Sequence, residues 1–322
     1  MHGIQVFDSA DATGMQFAII DNRVARLSPG LVLGELLEVC RPTESRFRSA
    51  IKAMRSFDLT VSVKYDLSGP HMGDASKKRF DPGERADGEH YMAIIVANKT
   101  VSDLQFGQEI AAWSDTLMLV DPEVHIPMNM SAEGWIVHTR RRSPESTDHD
   151  TSWFLMPSIN LDNKWTERSR ALHKKIIDMR QSFPSIDLSI QLLREAVKID
   201  TYSLARPMMM FAVLDSILAR SEKSGNRSHY EEIFSKVTLL GEHFRYEIDK
   251  NDLLDHARNK KFWLALYDVR NRIAHGKDVK INNLPPELQT IQAAGDFVKN
   301  VSRFILRSAA HEPSLVVNLR DV

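Results

Sequence analysis

Cysteine is almost missing from this chain: Cys40 stands alone in 322 residues. No intrachain disulfide and no thiolate zinc cluster can organise such a fold, and a reducing compartment is expected. No histidine stands near Cys40 in the sequence to activate its thiol, and it is not expected to be a nucleophile. There is also no unbroken apolar run of about eighteen residues. The first residues lack a basic start leading into an apolar core. Neither a membrane span nor a secretory leader is expected, and a cytoplasmic location is. Glycine and proline, 14 and 13 residues, are too few for a collagen-like or low-complexity chain. Nor is there a glycine-rich phosphate loop followed by Lys-Ser/Thr, an HExxH pair, a Ser-His-Asp order or a paired-carboxylate spacing. What is present is ordinary globular composition, 43% hydrophobic and 26% charged, over a length that suggests two domains.

The net charge of -1 conceals an asymmetry. Residues 1–162 carry 16 Lys+Arg against 23 Asp+Glu, or -7; residues 163–322 carry 26 against 20, or +6. A polyanion would therefore meet the second half. A change of pattern falls at the same place. The first half holds short runs of apolar and β-favouring residues that predict strands at Gln16–Ile20, Leu59–Tyr65, Tyr91–Ala97, Thr116–Val120, Trp135–Thr139 and Ser152–Ile159, with one helix at Arg46–Phe57 and a long polar loop from Asp66 to His90. The second half predicts helices at Thr166–Ser182, Ile186–Tyr202, Arg206–Ser221, His229–Leu240, Asp252–Ala274 and Pro285–Ala309, punctuated by proline and glycine. The expectation is α+β overall: an acidic, strand-rich mixed α/β domain over residues 1–162, then a basic all-α bundle over residues 163–322.

Two of these helices carry the chemistry. Arg206–Ser221 is apolar nearly all round, yet contains one acid, Asp215, on the face of Met208, Phe211 and Leu218. A lone buried carboxylate costs several kcal/mol, so a partner is required. Along Asp252–Ala274, Phe262, Leu266, Val269 and Ile273 form an apolar stripe with Arg270 on its border. Arg270 is the natural partner for Asp215. Asn271 and His275 project together at i, i+4 spacing, but five residues place His275 about 140° around a regular helix from Arg270. Gly276 is positioned to end the helix in the left-handed conformation, which would release His275 from that constraint.

Arginine followed by histidine after four to six residues occurs four times, at Arg85–His90, Arg142–His149, Arg168–His173 and Arg270–His275. About three such pairs arise by chance in a chain with this many of each residue, so context must select. Only Arg270 has an adjacent asparagine, a preceding aromatic-aliphatic helix and a His-Gly end. The segment Leu266-Tyr267-Asp268-Val269-Arg270-Asn271-Arg272-Ile273-Ala274-His275-Gly276 resembles the Arg-Asn-x-x-x-His signature of the HEPN superfamily. Phe211–Leu218 resembles that family's earlier helix with an acid in an apolar run, commonly glutamate and here Asp215. The resemblance covers about residues 165–310 and none of the first half.

That resemblance implies a metal-independent endoribonuclease without cofactors, in which the 2′-hydroxyl of RNA attacks the adjacent phosphate. Such chemistry needs a base, an acid and positive charge on the phosphate. His275 and Arg270 match the proton-transfer and phosphate roles, Asn271 would orient His275 or bind phosphate, and Asp215 would hold Arg270. One histidine cannot be base and acid in the same step, and in this family a symmetric homodimer supplies the second. Arg258, Lys260, Lys261, Arg272, Lys277 and Lys280 surround the motif as an approach for RNA. The acidic half would sense a trigger or restrain a toxin-like or antiviral effector. The rival expectation is a non-catalytic helical module that binds a nucleotide, RNA or protein, with Arg270 only a structural ion pair.

Other candidates have simpler readings. Asp148-His149-Asp150 has metal-ligating residue types but follows Arg140-Arg141-Arg142 in a polar loop, and His243 and His256 lack a spacing that would join them. The five tryptophans lie within or beside apolar runs and are expected in cores.

Overall fold

The computed structural model of the protein describes residues 16–40, 91–120, 124, 126, 128–131, 134–137, 159–199, 203–219, 229–244, 259–279 and 289–321. The predicted helix Arg46–Phe57, the strand Leu59–Tyr65 and the whole of the 66–90 loop fall outside these residues, as do Asp148-His149-Asp150 and His256. The fold is α+β, and the chain divides into two compact units, Met1–His173 and Lys174–Val322. The division falls within a helix rather than at the 162/163 break in charge.

The first unit is built on a seven-stranded sheet: β1 (Phe17–Leu27), β2 (Leu31–Leu33), β3 (Leu37–Cys40), β4 (Tyr91–Ala97), β5 (Met128–Ser131), β6 (Gly134–Val137) and β7 (Ile159–Leu161). The strand order is β2-β3-β4-β1-β5-β6, antiparallel throughout, with β7 pairing parallel to the later part of β1. In register, Phe17 faces Val96 on one side and Met130 on the other. Ala18, Ile20, Leu31, Leu33, Leu37, Val39, Ala93 and Ile95 share a core with Phe106, Ile110, Trp113 and Leu117 of helix α1 (Asp103–Val120). Phe17, Ile19 and Ile94, at the intervening positions, are buried too. Burial on both faces explains why these strands read as continuous apolar runs instead of alternating ones.

Thr116–Val120 is the last part of α1, not a strand. Its β-favouring composition is overridden by the spacing Phe106, Ile110, Trp113, Leu117, which is the period of a helix lying on the sheet. The short strands β2 and β3 lacked enough residues to give a pattern. Their connecting turn needs Gly34 at φ 62°, packed against the Trp113 ring.

The second unit is helical. Helix α2 (Asn163–Ser182) leads into α3 (Pro184–Val197), α4 (Ala205–Leu218), α5 (His229–His243), α6 (Lys260–Ala274), α7 (Ile291–His311) and α8 (Pro313–Asp321). Helix α7 is the centre, packing on α3, α4, α5 and α8 and burying Phe297, Val298, Val301, Phe304, Ile305 and Leu306 among others. Several predicted boundaries move. Helix α6 starts at Lys260 and not at Asp252, because Asn259 is extended (φ −92°, ψ 103°) and its Oδ1 accepts the Lys261 and Phe262 N–H groups as an N-cap. Helix α3 ends at Val197 rather than Tyr202. Helix α8 was not expected; Pro313 opens it as a first-turn proline. No described helix is long and apolar enough to cross a membrane.

Lys236 of α5 is 6% exposed, and its ammonium spends all three protons inside the bundle. It donates to the Leu218 carbonyl at 2.9 Å, to Glu232 Oε1 at 2.7 Å and to the Arg320 carbonyl at 3.3 Å. Arg320 Nε in turn donates to the Ala219 carbonyl at 3.0 Å. The ends of α4 and α8 are thus capped by side chains, where their last carbonyls lack helical partners. Lys236→Met is expected to cost about 3 kcal/mol, because it strands a carboxylate and two carbonyls together. Urea unfolding of the two proteins measures this, and an unchanged midpoint would show that the clamp contributes nothing.

Candidate functional site

The candidate site lies where α4, α5 and α6 pack on one another. Helix α4 buries Met210, Phe211, Val213, Leu214, Ile217 and Leu218. This all-round apolar character puts Asp215 in the last turn at the edge of the core, with 22% of its side chain exposed. A carboxylate there opposes the negative end of the helix dipole and is partly stripped of water. Three groups compensate it. Asp215 Oδ1 is 2.8 Å from His229 Nε2, Asp215 Oδ2 is 3.4 Å from Arg270 Nη2, and the Tyr267 hydroxyl donates to Oδ1 at 3.4 Å.

Each partner is delivered by its own helix. Phe262, Trp263, Leu266, Tyr267 and Val269 are the buried face of α6, leaving Arg270 on the border with 29% of its side chain exposed. Its guanidinium lies over the Tyr267 ring, 5.9 Å from the centroid, and donates from Nη1 to Asn271 Oδ1 at 3.1 Å. The Nε–H is buried without a partner among the described residues. Of five N–H groups two are used this way, and the remaining Nη1 and Nη2 protons can still meet an anion. His229 is the first residue of α5, and its ring meets Tyr267 edge-on at 5.7 Å between centroids. The Tyr267 ring also packs against Phe211 and Trp263, so the floor of the site is continuous with the core.

The electrostatics follow from this packing. The hydrogen bond to Asp215 raises the pKa of His229 above its ordinary 6.5, against an opposing effect of partial burial; the Asp215 and Glu232 charges raise it further and Arg270 lowers it. Burial, reinforced by Asp215, pushes the Tyr267 phenol well above its usual range. Tyr267 is therefore a neutral hydrogen-bond donor, not an acid-base group, at physiological pH.

His275 is placed differently. It is the C-cap of α6, with φ −97° and ψ 8°. Gly276 follows at φ 60°; its N–H bonds to the Ile273 carbonyl at 3.1 Å and the Lys277 N–H to the Arg272 carbonyl at 2.8 Å. This pair of bonds is a Schellman ending, and it explains the glycine. The His275 side chain is exposed, and no hydrogen bond joins it to Arg270 or Asn271 among the described residues. The Asn271 side-chain carbonyl faces Arg270 instead of His275. The structure thus brings Asp215, Arg270 and Asn271 together, leaves His275 open to solvent one helical turn further on, and adds His229 and Tyr267, which sequence reasoning passed over.

The surrounding cations divide. Lys260 pairs with Glu231 at 2.6 Å, and Arg272 with Asp268 at 2.8 Å, the latter also donating to the Asp278 carbonyl. In these pairs the Lys260 side chain is 56% exposed and the Arg272 side chain 26%. Lys261 and Lys277 are exposed, while Arg258 and Lys280 lie outside the described residues. His243 pairs with Glu312 at 3.1 Å. Of the rejected arginine-histidine pairs, His173 is stacked on Trp113 and held by Thr116 Oγ1 at 2.8 Å.

Two outcomes are expected. Gly276→Ala forces an L-residue into the left-handed region and costs about 1–2 kcal/mol by chemical denaturation; the open space at its Cβ position means that no clash adds to this. Because the folded state raises the His229 pKa, its contribution to stability is complete below about pH 6.5 and disappears as pH rises through the shifted value. The melting temperature of the wild type should therefore exceed that of His229→Gln at about pH 5.5 and converge on it near pH 8.5. A constant gap would sink the ion-pair account. No family model, no curated protein and no solved structure matches this chain.

Proposed function

We propose that the second unit is an endoribonuclease of HEPN type, cutting RNA by attack of its own 2′-hydroxyl. The observation that carries this reading is the Asp215–Arg270 ion pair at the head of an Arg-Asn-x-x-x-His segment whose histidine is exposed at a glycine-terminated helix end. In the proposed reaction the 2′-oxygen attacks phosphorus while His275 accepts its proton. Arg270, held by Asp215 and Asn271, offers its two unused protons to the phosphate oxygens as negative charge builds on them. The bond to O5′ breaks, the leaving oxygen receives a proton, and the products are a 2′,3′-cyclic phosphate and a 5′-hydroxyl end. Lys261 and Lys277, exposed beside the motif, would draw the polyanion in. A second copy of the chain, bringing its own His275, would supply the leaving-group proton, which makes a homodimer part of this reading. The acidic first half would then hold a toxin-like or defence RNase silent until triggered.

A second reading draws on the same ion pair. Arg270 is turned toward Asp215 and Asn271, and its side chain makes no bond to His275 among the described residues. In a non-catalytic helical module that binds a nucleotide, RNA or protein, Arg270 would do nothing beyond neutralising Asp215.

RNA cleavage in the presence of a chelator separates the two. The wild type is expected to cut, leaving 2′,3′-cyclic phosphate ends, while Arg270→Ala and His275→Ala each lose at least about 100-fold in rate. Undiminished cleavage by either variant would remove the proposed site, and complete dependence on added metal would remove the mechanism.

A further inference from the structure

We propose that His229 is a second proton-transfer group of this site, donating to the leaving 5′-oxygen from the same protomer whose His275 removes the 2′-proton. This inference rests on the ribonuclease reading and replaces one part of it, the need for a partner's histidine.

The geometry is that of a held imidazole. One ring nitrogen, Nε2, is fixed by Asp215 Oδ1 at 2.8 Å, and the other oxygen of the same carboxylate holds Arg270. The guanidinium that would bind the phosphate and the imidazole that would protonate its leaving group are therefore one carboxylate apart. Nδ1 makes no hydrogen bond among the described residues, and 41% of the His229 side chain is exposed, so the nitrogen opposite the carboxylate is open to a ligand. The Tyr267 ring meets the imidazole edge-on and restrains its tilt. A carboxylate on one nitrogen of a histidine stabilises the protonated ring and fixes its orientation, which is what proton donation requires.

The groups facing His229 are Asp215 from α4, Arg270 and Tyr267 from α6, and Glu232 from its own helix. The two carboxylates outweigh Arg270 and favour the protonated ring. His275 has no such carboxylate among the described residues. Two histidines with different surroundings can divide the work: His229 begins as the acid and His275 as the base. The P–O2′ bond forms as His275 takes the 2′-proton, the P–O5′ bond breaks as His229 gives its proton to O5′, and solvent restores both rings.

The test uses the full chain and an oligoribonucleotide that it cuts, prepared with the normal O5′ or with sulfur in its place at the cut linkage. Sulfur leaves as a thiolate and needs no proton. His229→Gln is expected to lose at least about 100-fold on the oxygen substrate and to return within about tenfold of the wild type on the sulfur substrate. His275→Ala is expected to remain impaired on both. Full activity of His229→Gln on the oxygen substrate, or equal losses on both substrates, would overturn the assignment; cleavage still dependent on Arg270 and His275 would leave the ribonuclease reading standing. The wild type gives a second readout that needs no variant at this position. Its rate on the oxygen substrate should fall at alkaline pH as His229 loses its proton, and this fall should be absent with sulfur. The same alkaline fall on both substrates overturns the assignment irrespective of how His229→Gln folds.

Discussion

A carboxylate near the negative end of an apolar helix is the constraint around which the second unit is arranged. Asp215 sits one turn before α4 stops, where the backbone carbonyls of Leu218 and Ala219 also need donors. Left alone, this end would concentrate negative charge in a region with little water. The bundle answers with four basic side chains from three helices: His229 and Lys236 from the first half of α5, Arg270 from α6 and Arg320 from α8. Packing of α5, α6 and α8 around α4 therefore adds charged contacts at this end to the apolar ones that continue to Ile217 and Leu218.

That division separates structural from chemical cations. Lys236 is buried and fully occupied, so it has nothing left to offer a ligand. Arg270 and His229 share one carboxylate, remain partly exposed and keep unused donors. Lys260 and Arg272, close to the motif in sequence, are bound to Glu231 and Asp268.

Much of this was legible in sequence, for identifiable reasons. The need of Asp215 for a partner follows from one acid in an all-apolar helix, and the choice of Arg270 from its position on the border of a stripe. Gly276 could be placed because a glycine after a long helical run has one common use. His229 could not be found this way: it opens its helix with no periodic signal, and its meeting with Asp215 depends on how α4, α5 and α6 pack. Thr116–Val120 misled because composition spoke for a strand while the spacing of Phe106, Ile110, Trp113 and Leu117, upstream and within it, spoke for a helix. Helix α6 was read as too long because Asn259 is tolerable inside a helix and better as its cap.

The cap that Arg320 places on Ala219 joins residues 101 positions apart, and Lys236 reaches the same C-terminal turn. During synthesis the Leu218 carbonyl can be met by Lys236, 18 residues on, but the Ala219 carbonyl waits for Arg320, 101 residues on, with a correspondingly long loop to close. A ribosome-bound chain that has completed α4, α5 and α6 already contains Asp215, His229 and Arg270, yet lacks the turn that finishes the helix holding the acid. Order at this end of the bundle is therefore completed only after the three helices that carry the site have been made.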